Sequence, residues 1–292
     1  MSSRKNYKAL TSRFQKPLIL LVVMLVLTLM NSGIFLTLGN FKSILLAISI
    51  YGVMVCGTIY PILLGGIDLA VGATAAMSGA CVVLTIVRMD YSYTGVILGI
   101  LFGLAAGVMA GIAHGAIVSN FNVPPFLITL ASQNIIYGIA QLLTGNQVIS
   151  CLEPAAFTFL GGGRLFGIPF SVCILVIVAL ISFWLLNRTT FGRQVYAVGG
   201  NKEASNLSGV SSKRITTVSY AISGFTAALA GIVLASMNQQ AIAKAAQGYE
   251  NDVLTAIVVG GTSLMGGEGS LQGAMFGALL VGMINNGLRL LG

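Results

Sequence analysis

The chain has 292 residues, of which only 22 carry a formal charge: 15 Lys or Arg and 7 Asp or Glu. Charged residues thus make up 8% of the sequence, whereas an ordinary soluble domain contains about 25%, and this deficit excludes a protein whose whole surface faces water. Apolar residues make up 56% of the chain, with 37 glycines in addition. Because a transmembrane helix needs about 20 mostly apolar residues, about nine spans would use roughly 180 residues. The composition therefore predicts an all-α, polytopic membrane protein.

Several other classes are excluded by missing patterns. Strands of transmembrane barrels alternate apolar and polar residues over about 10 positions, whereas the apolar runs here are continuous. No Gly-Lys pair occurs, so the sequence has no P-loop, and neither H-E-x-x-H nor G-x-S-x-G is present. Since we also find no pairing of a nucleophile with a base, we expect a chain that binds no cofactor and hydrolyses no nucleotide through a P-loop.

The chain divides into a basic N-terminal tail, residues 1–16, and a single predicted transmembrane domain, residues 17–292. The segment Asn31-Ser-Gly33 lacks a cleavage signal of the A-x-A type, so we expect an uncleaved first span rather than a signal peptide. The apolar segments predict about nine spans, including short or broken helices, at 18–38, 43–64, 69–87, 94–118, 125–144, 169–187, 215–236, 251–266 and 270–290.

The basic residues predict the orientation, because Lys and Arg are enriched in cytoplasmic loops. With the N-terminus in the cytoplasm, ten basic residues fall inside and five fall outside. This orientation places the loop 188–214, the most polar internal stretch, on the cytoplasmic face. The net charge of +8 is therefore interpreted as a topology signal, and nucleic acid is not an expected partner.

The fourth predicted span carries one glycine every four residues, from Gly95 to Gly115. Such a row forms a groove into which a neighbouring helix can pack closely, and we favour packing within one subunit over an interface between subunits. His114 lies beside this row. A lone histidine there is more often a hydrogen-bonded packing residue than a proton carrier, although an ionisable group at membrane depth also suggests a function.

Two segments, 62–72 and 257–267, align without gaps and share five of eleven residues. Paired glycines that interrupt apolar segments in both halves of a transporter indicate an internal repeat and the substrate path; coincidence in glycine-rich sequence is the alternative. Asp68 of the first segment precedes an apolar run, where its side chain can cap the first free amides of the third span. Contact with a substrate is the second interpretation, and the two roles are compatible.

The loop 188–214 is polar without being of low complexity. Asn201 can cap a short helix that runs to about Leu207, with Glu203 in its first turn and Gly209 as its stop. An ordered helix on the cytoplasmic side offers a docking site for another protein, whereas a structured loop that only joins two spans is the alternative.

Four stretches resemble the membrane-spanning permease subunits of bacterial ATP-binding-cassette importers for ribose and related monosaccharides. In order and approximate spacing, they cover residues 50–292. The stretches are Gly65-Gly-Ile-Asp-Leu-Ala-Val-Gly72; Asn122-Val-Pro-Pro-Phe-Leu-Ile-Thr-Leu130; Thr190-Phe-Gly-Arg-Gln-Val-Tyr-Ala-Val-Gly-Gly-Asn201 with Leu207-Ser-Gly-Val210; and Gly248-Tyr-Glu-Asn-Asp252 with Val259-Gly-Gly-Thr-Ser-Leu-Met-Gly-Gly267.

The resemblance implies a set of partners. The permease would pair with a second permease subunit, as a homodimer or a heterodimer, in the bacterial inner membrane, and would receive sugar from an extracytoplasmic binding protein. A separate ATPase subunit, which binds ATP and Mg, would act through the loop 188–214, and this favours a cytoplasmic coupling helix over a plain loop. The family positions for coupling are Gly200, Asn201, Ala204, Leu207, Ser208 and Gly209.

Other family positions bear on the two ends of the transport path. Glu250 and Asp252 match a family carboxylate pair, which we expect near the extracytoplasmic surface, in capping or in docking of the binding protein. His114 departs from the pattern, because the family usually has Asn there. The chain ends at Gly292, where relatives, with about ten spans, continue into one more; we expect either a shortened chain or a variant with one span fewer.

The predicted function is that of a non-enzymatic permease subunit for a pentose or hexose. Because a sugar is neutral, we expect a path of amide, hydroxyl and aromatic groups rather than a buried charged site, with hydrogen bonds between helices as the alternative role of these groups. A permease for a nucleoside or a branched-chain amino acid is the runner-up. An ion-coupled transporter is disfavoured by the scarcity of carboxylates within the spans. The candidate path residues are Asp68, Thr129, Gln133, Asn134 and Tyr137.

Overall fold

The computed structural model describes residues 18–31, 33–121 and 123–291, so the basic tail predicted for residues 1–16 lies outside the described residues. Twelve α-helices make up most of the described chain. Seven of them are long and apolar enough to cross a bilayer. The structure therefore confirms the predicted all-α, polytopic architecture.

The helices are numbered here in chain order, and two small antiparallel strand pairs lie between them: β1 pairs with β4, and β2 pairs with β3. The helices are α1 (Leu18–Met30), α2 (Leu38–Leu63), α3 (Val71–Arg88), α4 (Tyr93–Phe121), α5 (Pro125–Thr144), α6 (Ala155–Gly162), α7 (Phe170–Arg188), α8 (Thr190–Gly200), α9 (Lys202–Leu207), α10 (Ser212–Asn238), α11 (Tyr249–Val259) and α12 (Leu271–Leu291). The strands are β1 (Ile149–Ser150), β2 (Arg164–Leu165), β3 (Ile168–Pro169) and β4 (Gln240–Ala241).

Two of the predicted spans are shorter in the structure. The segment 18–38 is interrupted near Gly33, whose φ is +81°. The helix α2 begins at Leu38, and the side chain of Thr37 caps it by accepting a hydrogen bond from the amide of Asn40. The segment 251–266 is helical only in α11, whose 11 residues rise about 16 Å, roughly half of the hydrocarbon core. This helix ends because Gly261 adopts a left-handed φ of +93°.

The centre of the bundle is α10, which packs against α2, α3 and α4. Most residues of α2, α3 and α10 are buried within the chain, whereas most residues of α4, α5 and α7 are partly or fully exposed. Lipid tails are as apolar as these side chains, so such faces need no protein partner.

The glycine row of α4 packs against the backbones of two neighbouring helices. A methyl group at Gly99 or Gly103 would lie 2.9 Å from a carbonyl oxygen of α3, and one at Gly111 would overlap the carbonyl oxygen of Tyr220 in α10. Only glycine permits helices to approach so closely. The row therefore mediates packing within one chain, the interpretation that the sequence favoured.

Candidate functional site

The connection between α2 and α3 buries Asp68, which is only 4% exposed. Its Oδ1 accepts a hydrogen bond of 3.1 Å from the amide of Ala70, and its Oδ2 accepts one of 2.7 Å from the hydroxyl of Ser223 in α10. A carboxylate near a helix N-terminus is stabilised by the helix dipole. The bond to Ala70 therefore forms a turn just before α3; Ala70 is the N-cap residue and no side chain caps the first amides of the helix, so the predicted capping role of Asp68 is wrong.

His114 of α4 connects Asp68 to α5. Its Nδ1 lies 3.9 Å from Oδ1 of Asp68, and its Nε2 is hydrogen-bonded to the hydroxyl of Ser132. The imidazole is buried, and a buried polar group is tolerated when such partners are present. His114 is therefore a hydrogen-bonded packing residue, as predicted, and it also lies beside a buried carboxylate.

Glu250, in the first turn of α11, is buried against the first turn of α3. Its Oε1 accepts hydrogen bonds of 2.7 Å from Nε2 of Gln133 and 3.2 Å from the amide of Gly248. Within the described part of the chain, neither Oε2 nor the hydroxyl of Tyr137 has a hydrogen-bond partner. A methyl group on Gly72 would overlap Oε2 and lie 3.2 Å from the Tyr137 oxygen. Glycine at this position thus leaves room for both groups.

This placement bears on two expectations. Glu250 is 7% exposed and its carboxylate accepts a hydrogen bond from Gln133, while its expected position near the extracytoplasmic surface stays a prediction. Asp252 is half-buried, and residues two apart in a helix do not share a face, so the two carboxylates do not form a pair. The path candidates also surround buried charge, since Asp68 and Glu250 both lie at the α3 N-terminus, where the helix dipole favours negative groups.

Three predicted path residues share one face of α5, because residues four apart in a helix lie above one another. Thr129 donates a hydrogen bond of 3.0 Å to the carbonyl oxygen of Ile67, Gln133 binds Glu250, and Tyr137 follows one turn later. Together with the groups around the start of α3 they form one cluster. The α3-entry site consists of Asp68, His114, Thr129, Gln133, Tyr137, Ser223 and Glu250.

Asn134, the fifth path candidate, does not belong to this site. It is exposed and donates a hydrogen bond of 3.1 Å to the carbonyl oxygen of Leu130 in its own helix. One residue turns a helix by about 100°, which moves Asn134 away from the face that carries Gln133. The assignment of Asn134 to the substrate path therefore stays a prediction.

The loop 188–214 folds into the short helices α8 and α9. Asn201 accepts a hydrogen bond of 2.9 Å from the amide of Ala204 at the start of α9. The helix ends at Leu207, and Gly209 follows with a left-handed φ of +84°. The predicted cap, helix end and stop are thus confirmed. All six predicted coupling positions are exposed, and Leu207 is 91% exposed.

The helices α2 and α11 end in the same kind of turn. After α2, the amide of Gly66 bonds at 2.8 Å to the carbonyl oxygen five residues earlier, and Gly65 has φ +74°. After α11, the amide of Thr262 makes the equivalent bond at 3.2 Å, and Gly261 has φ +93°. Both are Schellman motifs. The two aligned segments therefore share a local structure, displaced by one residue because the left-handed glycine is the first of one pair and the second of the other.

The C-terminal end of α8 contacts the chain after both of these helices. The amide of Gly267 donates a hydrogen bond of 2.8 Å to the carbonyl oxygen of Leu63, the last residue of α2. A methyl group on Gly199 would overlap that oxygen and lie 2.7 Å from the Gly267 nitrogen. The hydroxyl of Tyr196 donates a bond of 2.9 Å to the carbonyl oxygen of Gly269, and burial raises its pKa, so the donor proton is retained. We call these residues the α8 junction.

The comparisons with known proteins identify the family. A family model described as the permease component of the branched-chain amino acid transport system matches residues 40–292. The ribose import permease protein RbsC of Bacillus subtilis is 38% identical over 274 residues, which cover 94% of this chain and 84% of that protein. The chain belongs to this permease family. RbsC of Escherichia coli is 36% identical over 295 residues, which cover 100% of this chain and 91% of that protein.

A second sugar appears among the relatives of this permease. The L-arabinose transport system permease protein AraH of Escherichia coli is 36% identical over 257 residues, which cover 88% of this chain and 77% of that protein. No solved structure matches the chain. The permease is thus a multi-pass membrane protein and a transport subunit.

In this permease the α3-entry site and the α8 junction are parts of one connection. Leu63 of the junction ends α2, Asp68 of the site precedes α3, and the first Schellman turn lies between them. Gly65 of this turn also contacts the segment after α11, since a methyl group on it would lie 3.2 Å from the carbonyl oxygen of Met265. A displacement of α8 would therefore act on the backbone that holds Asp68.

Several residues of the site, of its immediate surroundings and of the junction were not found from the sequence. Ser132 and Ser223 are single serines in apolar helices, where no spacing distinguishes a serine that bonds across the bundle from one that bonds back to its own helix. Gly199 and Gly267 did carry a signal, because each belongs to a glycine pair in a stretch that resembles the permease family. Tyr196 lies in the same stretch.

Proposed function

We propose that this permease is the membrane-spanning subunit of an ATP-driven importer that carries a monosaccharide, a pentose or hexose such as ribose. The relatives named for ribose and for L-arabinose support this class of solute. The main support for an ATP-driven mechanism is the α8 junction. It joins the exposed segment that contains α9 to the connection that contains Asp68.

The α3-entry site has the chemistry that a neutral, hydroxyl-rich solute requires. Oε2 of Glu250 and the hydroxyl of Tyr137 are buried and lack partners among the described residues, so each would be available to a sugar hydroxyl once the site opens during the transport cycle. Hydrogen bonds to an ionised acceptor are about twice as strong as those between neutral groups. We therefore assign the substrate path to the site, with Asp68, Thr129, Gln133, Tyr137 and Glu250 as its main polar groups.

Coupling to ATP would proceed through α9 and α8. A separate ATPase subunit, which binds ATP and Mg, would dock on the exposed positions Gly200, Asn201, Ala204, Leu207, Ser208 and Gly209. Closure of the ATPase pair would move α8, and the junction would transmit this motion to the first Schellman turn. A rigid contact is needed there because a ligand can shift a conformational equilibrium only through contacts that differ between the two states.

The cellular setting follows from the same proposal. The permease lies in the inner membrane of a bacterium with its N-terminus in the cytoplasm, which agrees with the distribution of basic residues. It pairs with a second permease subunit, identical or related. An extracytoplasmic binding protein delivers the sugar to the side opposite α9.

Vesicle uptake tests the proposal. The complete complex, reconstituted with its ATPase and binding protein, should accumulate radiolabelled ribose or arabinose only when ATP and the binding protein are both present. A nucleoside and a branched-chain amino acid belong in the same panel, because preferential uptake of either would replace the solute assignment. Uptake by the permease alone, driven by a sodium or proton gradient, would overturn the ATP-driven mechanism.

A further inference from the structure

A polar cavity, separate from the α3-entry site, lies between α8 and the first Schellman turn. Its volume is about 410 Å³, within the range of about 300–1,000 Å³ that is usual for small-molecule sites. The cavity is bounded by the C-terminal end of α4, the start of α5, the N-terminal part of α10, and α8. Gly66 of the turn and Gly199 of the junction both line it.

The lining groups favour a neutral ligand that carries hydroxyl groups. Ser119, Thr216 and Tyr220 supply hydroxyls, Lys202 supplies one ammonium group, and none of the residues that line the cavity is Asp or Glu. Lys202 is exposed, whereas Ser119 is buried. The single cation thus lies at the rim, and the rest of the lining is neutral: three hydroxyl side chains and two glycines stand beside six apolar residues.

The hydroxyl of Tyr220 indicates that a hydrogen-bonding ligand is missing from the cavity. The residue is 0% exposed, and its hydroxyl has no hydrogen-bond partner in the described part of the chain. A methyl group on Gly66 would lie 2.6 Å from this oxygen, so the hydroxyl lies at the boundary between the cavity and the turn that precedes Asp68. Buried polar groups without a partner are rare in folded proteins.

We propose that this cavity binds the transported solute, a neutral polyhydroxylated molecule, from the side of the membrane on which α8 and α9 lie, and that its occupancy slows the transport cycle. The inference rests on the proposed function, because it takes the solute from there. A molecule in the cavity contacts both Gly66 and Gly199 and so bridges the Schellman turn and α8. It therefore favours one relative position of these two segments and opposes the motion that couples ATP to transport.

The experiment uses the complete complex in sealed vesicles, with the ATPase facing the bath and the sugar-loaded binding protein enclosed in the lumen. Ribose and arabinose are first compared as the sugar loaded on the enclosed binding protein. The sugar that stimulates ATP hydrolysis in this comparison is then added to the bath. We expect bath sugar to reduce the stimulated hydrolysis. In Thr216→Val, one hydrogen bond to the sugar is lost, and the concentration for half-inhibition should rise about threefold to tenfold.

The neighbouring residue supplies a matched control. Thr217 does not line the cavity, and its hydroxyl donates a hydrogen bond of 3.0 Å to the carbonyl oxygen of Lys213, so Thr217→Val should be inhibited at the wild-type concentration. Ser119→Ala is a second cavity variant in case Thr216→Val does not assemble. Equal inhibition of all variants, or no inhibition by bath sugar, would overturn the inference. Absence of stimulation by the loaded binding protein, before any bath sugar is added, would instead overturn the proposed function.

Discussion

The amide of Gly267 donates a hydrogen bond of 2.8 Å to the carbonyl oxygen of Leu63, and this bond ties the segment that follows α11 to the end of α2. Gly199 of α8 lies against both partners. Because the chain continues from Leu63 through a Schellman turn to Asp68, the same few backbone atoms connect an exposed helical segment to a buried carboxylate. A side chain added at this contact should therefore affect transport more than it affects ATP hydrolysis.

Gly199→Ala tests the α8 junction. The new methyl group would overlap the Leu63 oxygen, and overpacking of this kind costs about 1–3 kcal/mol. Since about 1.4 kcal/mol corresponds to a tenfold change in an equilibrium constant, sugar uptake per ATP hydrolysed should fall by about tenfold. The measurement is the ratio of uptake to ATP hydrolysis in reconstituted vesicles.

Gly138→Ala is the control for this substitution. Gly138 is in the interior of α5, and a methyl group there meets no atom of the described residues within 4 Å, so the change should stabilise the helix by about 0.5–1 kcal/mol without altering the ratio. A wild-type ratio in Gly199→Ala would show that α8 is not coupled through Leu63.

Gln133→Leu tests the α3-entry site. The substitution removes the donor of the 2.7 Å bond to Oε1 of Glu250, and loss of a hydrogen bond to a buried charged group costs about 1.5–3 kcal/mol. We expect a lower melting temperature in detergent and a decrease in sugar uptake of about tenfold or more. Asn134→Leu is the matched control, because Asn134 is exposed and bonds only within its own helix. Its stability should remain within about 0.5 kcal/mol of the wild type, and equal loss of uptake in the two variants would contradict the assignment of the site.

The comparison of Gln133 with Asn134 shows where sequence analysis succeeds and where it stops. Continuous apolar runs located most of the helices, and local chemistry located the start of α9 at Asn201 and its stop at Gly209. Which of two adjacent polar residues faces the interior depends on how α5 is rotated against α3, and no local pattern encodes that rotation. The contact between Glu250 and Gln133 was not predicted for the same reason, since the two residues are distant in the sequence.

Short or broken spans were anticipated only in part. The glycine pair after Val259 predicted an interruption, but the length of α11 depends on which glycine adopts the left-handed conformation, and this is set by the packing of the turn. In the first aligned segment it is Gly65, and in the second it is Gly261. A gapless alignment cannot reveal this difference of one residue.

Gly209→Leu tests the proposed docking of the ATPase. Gly209 has φ +84°, and a left-handed conformation costs a residue with a β-carbon roughly 1–2 kcal/mol, so the end of α9 should be distorted while the bundle remains folded. We expect loss of ATPase association in pull-down of the complex, with an unchanged melting temperature of the permease alone. Gly209→Asn should retain association, because Asn tolerates this conformation better than Leu. Unchanged complex formation by Gly209→Leu would indicate that α9 is an ordinary loop helix.

Labelling of an introduced cysteine, in a permease whose half-buried native Cys81 and Cys173 are replaced by serine, tests the predicted orientation. Ser208 is exposed at the end of α9, so Ser208→Cys in the permease without its ATPase should react with a membrane-impermeant maleimide only from the cytoplasmic side. The native Cys151 is fully buried, and burial raises its pKa to about 11. Because the thiolate is the reactive form, Cys151 stays protonated and unlabelled at neutral pH from either side. Reaction of Ser208→Cys with reagent added outside intact cells would reverse the orientation, and it would place the ATPase-docking surface on the wrong side of the membrane for the proposed importer.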